Sequence, residues 1–146
     1  MKSWLKLFRV SFRKILQINK ITVLKVIFWM IFFRFAIRMV SFNNLKSLSL
    51  YLTKSKKSKN YNSSQIKEIA KAVKVISESL PFNVSCLTQA LTTKFLLRHD
   101  KNVLVVIGVS LKDGFEAHAW VEKYGLYIIG DTPLTKFTPI WHWEVD

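Results

Sequence analysis

The chain has 146 residues, half of them hydrophobic, and its 23 Lys and Arg against 9 Asp and Glu give a net charge of +14. That length suits one domain with a modest core and excludes two full ones, and the hydrophobic content excludes disorder over most of it. A single cysteine, Cys86, excludes an internal disulfide and points to a reducing compartment such as a bacterial cytosol.

The charge is unevenly placed. Residues 1–60 carry 14 of the 23 basic side chains and no carboxylate, whereas residues 61–146 carry nine of each sign. This splits the chain into a basic, apolar, helical N-terminal segment with its linker (1–60) and a second region (61–146) with different partners.

Within the first segment, ITVLKVIFWMIFFRFAIRMV (21–40) contains the longest apolar run, Val26 to Phe33, interrupted around it by Lys25, Arg34 and Arg38. A membrane-crossing helix needs about 18 or more nearly uninterrupted apolar residues, and Arg34 inside a span would cost about 2.5–3.5 kcal/mol. The apolar stretch starts late and lacks a small-residue cleavage site, so it does not read as a signal peptide. On a helix Arg34 lies about 180° from Lys25 and Arg38 about 140° from it, so the apolar face is broken. The expectation is a core-packing helical hairpin whose long basic side chains snorkel outward. Peripheral contact with the inner face of an anionic membrane is the alternative, ahead of a true span. A nucleic-acid surface would be polar and base-stacking where this segment is apolar, so nucleic acid is not expected as a partner. The stretch TKSKKSKNYNSS (53–64) has no apolar periodicity and reads as a solvated connector.

The pattern turns regular from Ser64. Ile66, Ile69, Ala70, Val73 and Ile76 mark one face of a helix over 65–80, with Ser64 as its cap and Pro81 as its stop. A second helix starts near Ser85, capped by Asn83 or Ser85. Leu87, Ala90, Leu91 and Leu97 form its buried face, and Thr88, Gln89, Thr92 and Lys94 its more polar one. Cys86 then sits in the first turn, where free backbone N–H groups and the positive end of the helix dipole favour a thiolate and can stabilise an oxyanion. Gln89, a turn further on, is set aside as an oxyanion donor.

Three strands follow. NVLVVIGVSL (102–111) reads as a buried strand, and Lys112-Asp113-Gly114 as a turn. Phe115–Tyr124 alternates, with Ala117, Ala119 and Val121 on one face and His118, Trp120 and Glu122 on the other. Leu126–Gly130 delivers Asp131 at its end. A nucleophile, a base and an orienting carboxylate therefore occur in the order Cys86, His118, Asp131, which is the set that makes a thiol an acyl-transfer nucleophile. Taken singly, a lone cysteine is usually a buried hydrophobe and a strand histidine a structural one. Placed on a helix and an adjoining sheet, the three together point to catalysis. Zinc competes for the same residue types, but no second Cys or His stands at ligand spacing, and His99 and His142 fall in unrelated loop and tail contexts. No metal and no cofactor are expected.

Pro81-Phe82-Asn83-Val84-Ser85-Cys86-Leu87-Thr88-Gln89-Ala90-Leu91, Val106-Ile107-Gly108-Val109 and Ala117-His118-Ala119-Trp120-Val121-Glu122 together resemble the leader peptidases of lasso peptide biosynthesis, in their standalone (B2) form. The resemblance covers roughly residues 65–131. The Ala117–Glu122 block is shared with the wider transglutaminase-like superfamily, and the block around Cys86 with the basic N-terminus makes the narrower assignment. It implies an α+β transglutaminase-like (papain-like) cysteine protease core, with the Cys-bearing helix packed on an antiparallel sheet. It implies Cys86 as nucleophile, His118 as general base and acid, and Asp131 as the residue orienting His118. The implied activity is cleavage of the leader from a ribosomally made precursor before a separate lasso cyclase closes the macrolactam. Residues 1–60 show no winged-helix recognition unit, so a separate B1-type recognition protein would deliver the leader. Two other functions fit the residues: a transglutaminase-like amide acyltransferase, and an inert membrane-associated scaffold.

Overall fold

Asn19 starts the first helix by accepting the Ile21 N–H at 2.9 Å on its side chain. The computed structural model describes residues 17–54, 58–130 and 136–143, and in it α1 spans Lys20–Met39. Val26, Met30 and Phe33 recur at helical spacing and are completely buried. The chain turns at Val40-Ser41 into α2, Phe42–Thr53, which buries Leu45, Ser49 and Thr53. The buried apolar residues of both helices join the same core as those of α3, Ser63–Ser79, and α4, Cys86–Leu96. Among the described residues no helix is long and apolar enough to cross a membrane.

The cap of α3 is Asn62, two residues before the expected Ser64. The Asn62 side chain accepts the Gln65 N–H at 2.9 Å, and Gln65 Oε1 accepts the Asn62 N–H at 3.2 Å. This reciprocal box needs an amide or carboxylate three residues after the cap; Gln65 supplies it for Asn62, while Lys67 cannot for Ser64. Ser85 caps α4 as expected, with its Oγ accepting the Thr88 N–H at 3.2 Å.

Helix α4 departs from the two-faced expectation. Thr88, Thr92, Thr93 and Lys94 are buried along with Ala90, Leu91 and Phe95, because α1, α3 and the sheet surround this helix. The polar side chains are tolerated because each has a hydrogen-bond partner: the Thr88 hydroxyl pairs with the Ser85 hydroxyl at 2.9 Å, and backbone carbonyls take the rest. Thr92 Oγ1 donates to the Thr88 carbonyl at 2.8 Å, Thr93 Oγ1 to that of Gln89 at 2.9 Å, and Lys94 Nζ to that of Val103. Burial lowers the Lys94 ammonium from 10.5 to about 8.

Four antiparallel strands complete the α+β fold: β1 Val103–Ser110, β2 Glu116–Lys123, β3 Leu126–Ile129 and β4 Thr138–Trp143, in the order β3-β2-β1-β4. The first three fall where the sequence placed them. Strand β4 is an addition, and it puts His142 in a strand beside Val106 instead of in a tail. Pro139 argues against a strand because it lacks a ladder donor, but β4 is an edge strand, and its register shifts where it passes Ile107 and Gly108. Val105, Ile107, Ala119 and Val121 face the helical core. Val106, Trp120 and Phe137 form a second cluster, with Tyr127 against it. Gly108 makes that cluster possible: a Cβ there would stand 2.7 Å from the Trp120 indole.

Candidate active site

Cys86 is the first residue of α4. The cap at Ser85 fixes the helix start, and its hydroxyl takes the Thr88 N–H. The N–H groups of Cys86 and Leu87 stand in the first turn, where helix geometry provides no internal acceptor. The loop leading in, Pro81–Ser85, is held from α1: Arg34 Nη1 donates to the Asn83 carbonyl, and the guanidinium lies 4.2 Å from the centre of the Phe82 ring. Arg34 thus turns inward onto the segment that positions the thiol, a role no local spacing in the sequence announces.

His118 lies on β2, paired across to Gly108 of β1. Its ring stacks on Trp120 with centroids 6.2 Å apart and an interplanar angle of 22°, and Phe137 lies 5.3 Å from it. Trp120 in turn stacks on Tyr127 at 5.9 Å. This aromatic row sets the plane of the imidazole. Burial holds the pKa of His118 below the ordinary 6.5, so the ring is neutral at pH 7 and able to accept a proton. Its Nε2 is buried and has no hydrogen-bond partner among the described residues.

Cys86 and His118 meet in one cavity of about 260 Å³. Helix α4 contributes Cys86 and Gln89, the sheet contributes His118, Ala119, Ile129 and Gly130, and α3 closes the far side with Lys74, Ser77 and Glu78. Among the described residues the β2–β3 pairing ends at Val121–Ile129, so the cavity sits at the sheet edge beyond it. Gly130 has φ +110°, and a Cβ there would stand 2.6 Å from Trp120 Cβ, so glycine is needed for the chain to leave β3 against β2. Asp131 lies outside the described residues; the residue before it, Gly130, lines the cavity.

Gln89, set aside from sequence, is on the cavity wall because residues three apart share a helix face. Its Nε2 donates to the Val84 carbonyl at 3.2 Å, which ties the helix to the loop before it. No local signal in the sequence marks Lys74, Ser77 and Glu78 as cavity residues. Their i, i+3, i+4 spacing was readable, but which face of α3 meets Cys86 is decided by tertiary packing.

Residues 29–142 match the transglutaminase-like superfamily. The chain belongs to that superfamily. Neither a curated protein nor a solved structure gives a significant match. The superfamily includes cysteine proteases and acyltransferases, and its fold is typically that of a Cys-His-Asp enzyme. The matched region begins within α1 and takes in both Cys86 and His118. In this transglutaminase-like domain the thiol comes from the helix layer and the imidazole from the sheet.

Proposed function

We propose that this protein is a cysteine protease that removes the leader from a ribosomally made lasso peptide precursor, with Cys86, His118 and Asp131 as its catalytic set. The observation that carries the reading is the shared cavity, where a free thiol at a helix start lies with an imidazole whose buried Nε2 has no partner among the described residues. The superfamily supports thiol acyl-transfer chemistry. The sequence blocks Pro81–Leu91 and Ala117–Glu122 support the narrower assignment. A cavity of about 260 Å³ admits a peptide bond and its neighbouring side chains and is too small for folded protein, which suits an extended precursor segment.

His118 takes the proton of Cys86, and the thiolate attacks the scissile carbonyl carbon. The first-turn N–H groups of α4 face the resulting oxyanion. The C–N bond breaks as imidazolium passes its proton to the leaving amine, which becomes the N-terminus of the core peptide. The leader remains as a thioester on Cys86. Water, deprotonated by His118, then attacks the thioester, and leader carboxylate and free thiol are released. Asp131 keeps the imidazole in the productive orientation. A separate recognition protein presents the leader, and a lasso cyclase uses the freed amine.

Incubation with purified precursor and recognition protein, read by mass spectrometry, tests this. Cys86→Ala abolishes leader release with the fold intact, and Asp131→Asn lowers the rate by about 10²-fold or more. Normal cleavage by Cys86→Ala would sink the proposal. Superfamily membership also admits amide transfer, and a labelled amine in the same reaction separates the two, since hydrolysis leaves the leader unlabelled.

A further inference from the structure

Helix α1 has a second apolar face that no other described residue buries. Val26, Met30 and Phe33 point into the core. On the opposite side, about 180° away at 100° per residue, Ile21, Leu24, Phe28, Ile31 and Phe35 form a continuous stripe. Phe28 is 63% exposed, Leu24 68% and Phe35 62%, and the stripe ends at Met39, 83% exposed. Single exposed apolar residues need no explanation, whereas a contiguous stripe of this kind marks a surface that something covers.

Charge says what the occupant is. Lys20 and Arg38 lie along one flank of the stripe and Lys25 along the other, and all three are exposed. Beyond Lys25 opens a cleft of about 560 Å³ that adds Lys59 and Arg98, with Glu68 as its one carboxylate. Residues 1–16 bring five further Lys and Arg and no acidic side chain. A second copy laid stripe to stripe would set these cations against their own kind. No helix among the described residues is long and apolar enough to span a bilayer. An apolar stripe flanked by lysine and arginine is what an interfacial helix presents to anionic headgroups, with the aliphatic stems along the acyl boundary and the charges in the headgroup layer.

We infer that α1 docks this transglutaminase-like domain onto the surface of a bilayer containing anionic lipid, with the Ile21–Phe35 stripe inserted and Lys20, Lys25 and Arg38 on the headgroups. The cavity of Cys86 is lined by the C-terminal half of α3 and the start of α4, while the basic cleft is lined by the N-terminal half of α3 and the end of α4. Docking through α1 therefore leaves the thiol site uncovered.

Co-sedimentation of the full chain with vesicles tests this, using phosphatidylcholine alone and an equal mixture of phosphatidylcholine and phosphatidylglycerol. The protein is expected to bind the anionic vesicles, to bind phosphatidylcholine much less, and to be released by salt. Phe28→Ser/Phe35→Ser should weaken binding by about tenfold or more, with circular dichroism and Cys86 alkylation unchanged. No binding to the anionic vesicles overturns the inference, as does binding indifferent to the double substitution. A dimer or a protein complex dispersed by that substitution, without vesicle binding, overturns it in favour of a protein partner.

Discussion

Helix α1 is the more apolar of the two in sequence, yet α4, with Gln89, Lys94 and three threonines, is the one that is enclosed. α4 is enclosed by α1, α3 and the sheet, so even Thr88, Thr92 and Lys94 are buried along it. α1 covers α4 with one side and leaves Leu24, Phe28 and Phe35 open on the other. The enclosed helix holds Cys86 at its first position, where small shifts would move the thiol relative to His118. The half-covered helix holds the approach loop through Arg34 and leaves open the face proposed above to dock on a bilayer.

The contrast can be broken most forcefully in α4. Leu91 is completely buried, and Leu91→Ala should cost about 2–5 kcal/mol, read from urea unfolding. A loss below about 1 kcal/mol would mean that α4 is not enclosed as described.

Lys94 gives a subtler effect. Its folded-state pKa of about 8 lies below the ordinary 10.5, so the unfolded chain binds more protons between those values. Stability from this group is fully present above about pH 10.5 and is lost as pH falls through about 8. The difference in urea midpoint between wild type and Lys94→Met should therefore shift in favour of the wild type as pH rises across that window. A constant difference would remove the buried ammonium from the account. The smallest effect belongs to the open face of α1, where Phe28→Ser should change stability by about 0.5 kcal/mol or less. A loss resembling that of Leu91→Ala would mean the stripe is covered by the chain itself.

Local signals explain how much of this was readable. β1 showed as a β-branched run and α3 as a period of three and four, and Cys86 followed a cap that the structure retains. The burial of Thr92, Thr93 and Lys94 could not be read, because carbonyls of α4 itself and of Val103 satisfy them and sequence does not show those partners. β4 was hidden by Pro139, which is compatible with an edge strand only once the sheet order is known. Of the site, a cysteine at a helix start and a histidine on a strand were legible from local signals, whereas their lining one cavity is a tertiary fact. The wall formed by Lys74, Ser77 and Glu78 depends on how α3 packs against α4, and the grip of Arg34 on the Asn83 carbonyl spans 49 residues of chain. Neither distance is written in a local pattern.

The central claim is that His118 activates Cys86. The most direct measurement is the rate of Cys86 alkylation by iodoacetamide near neutral pH, compared between wild type and His118→Ala. Coupling predicts a fall on the order of tenfold or more when the imidazole is removed. Equal rates in two folded proteins would contradict it and leave Cys86 an ordinary thiol.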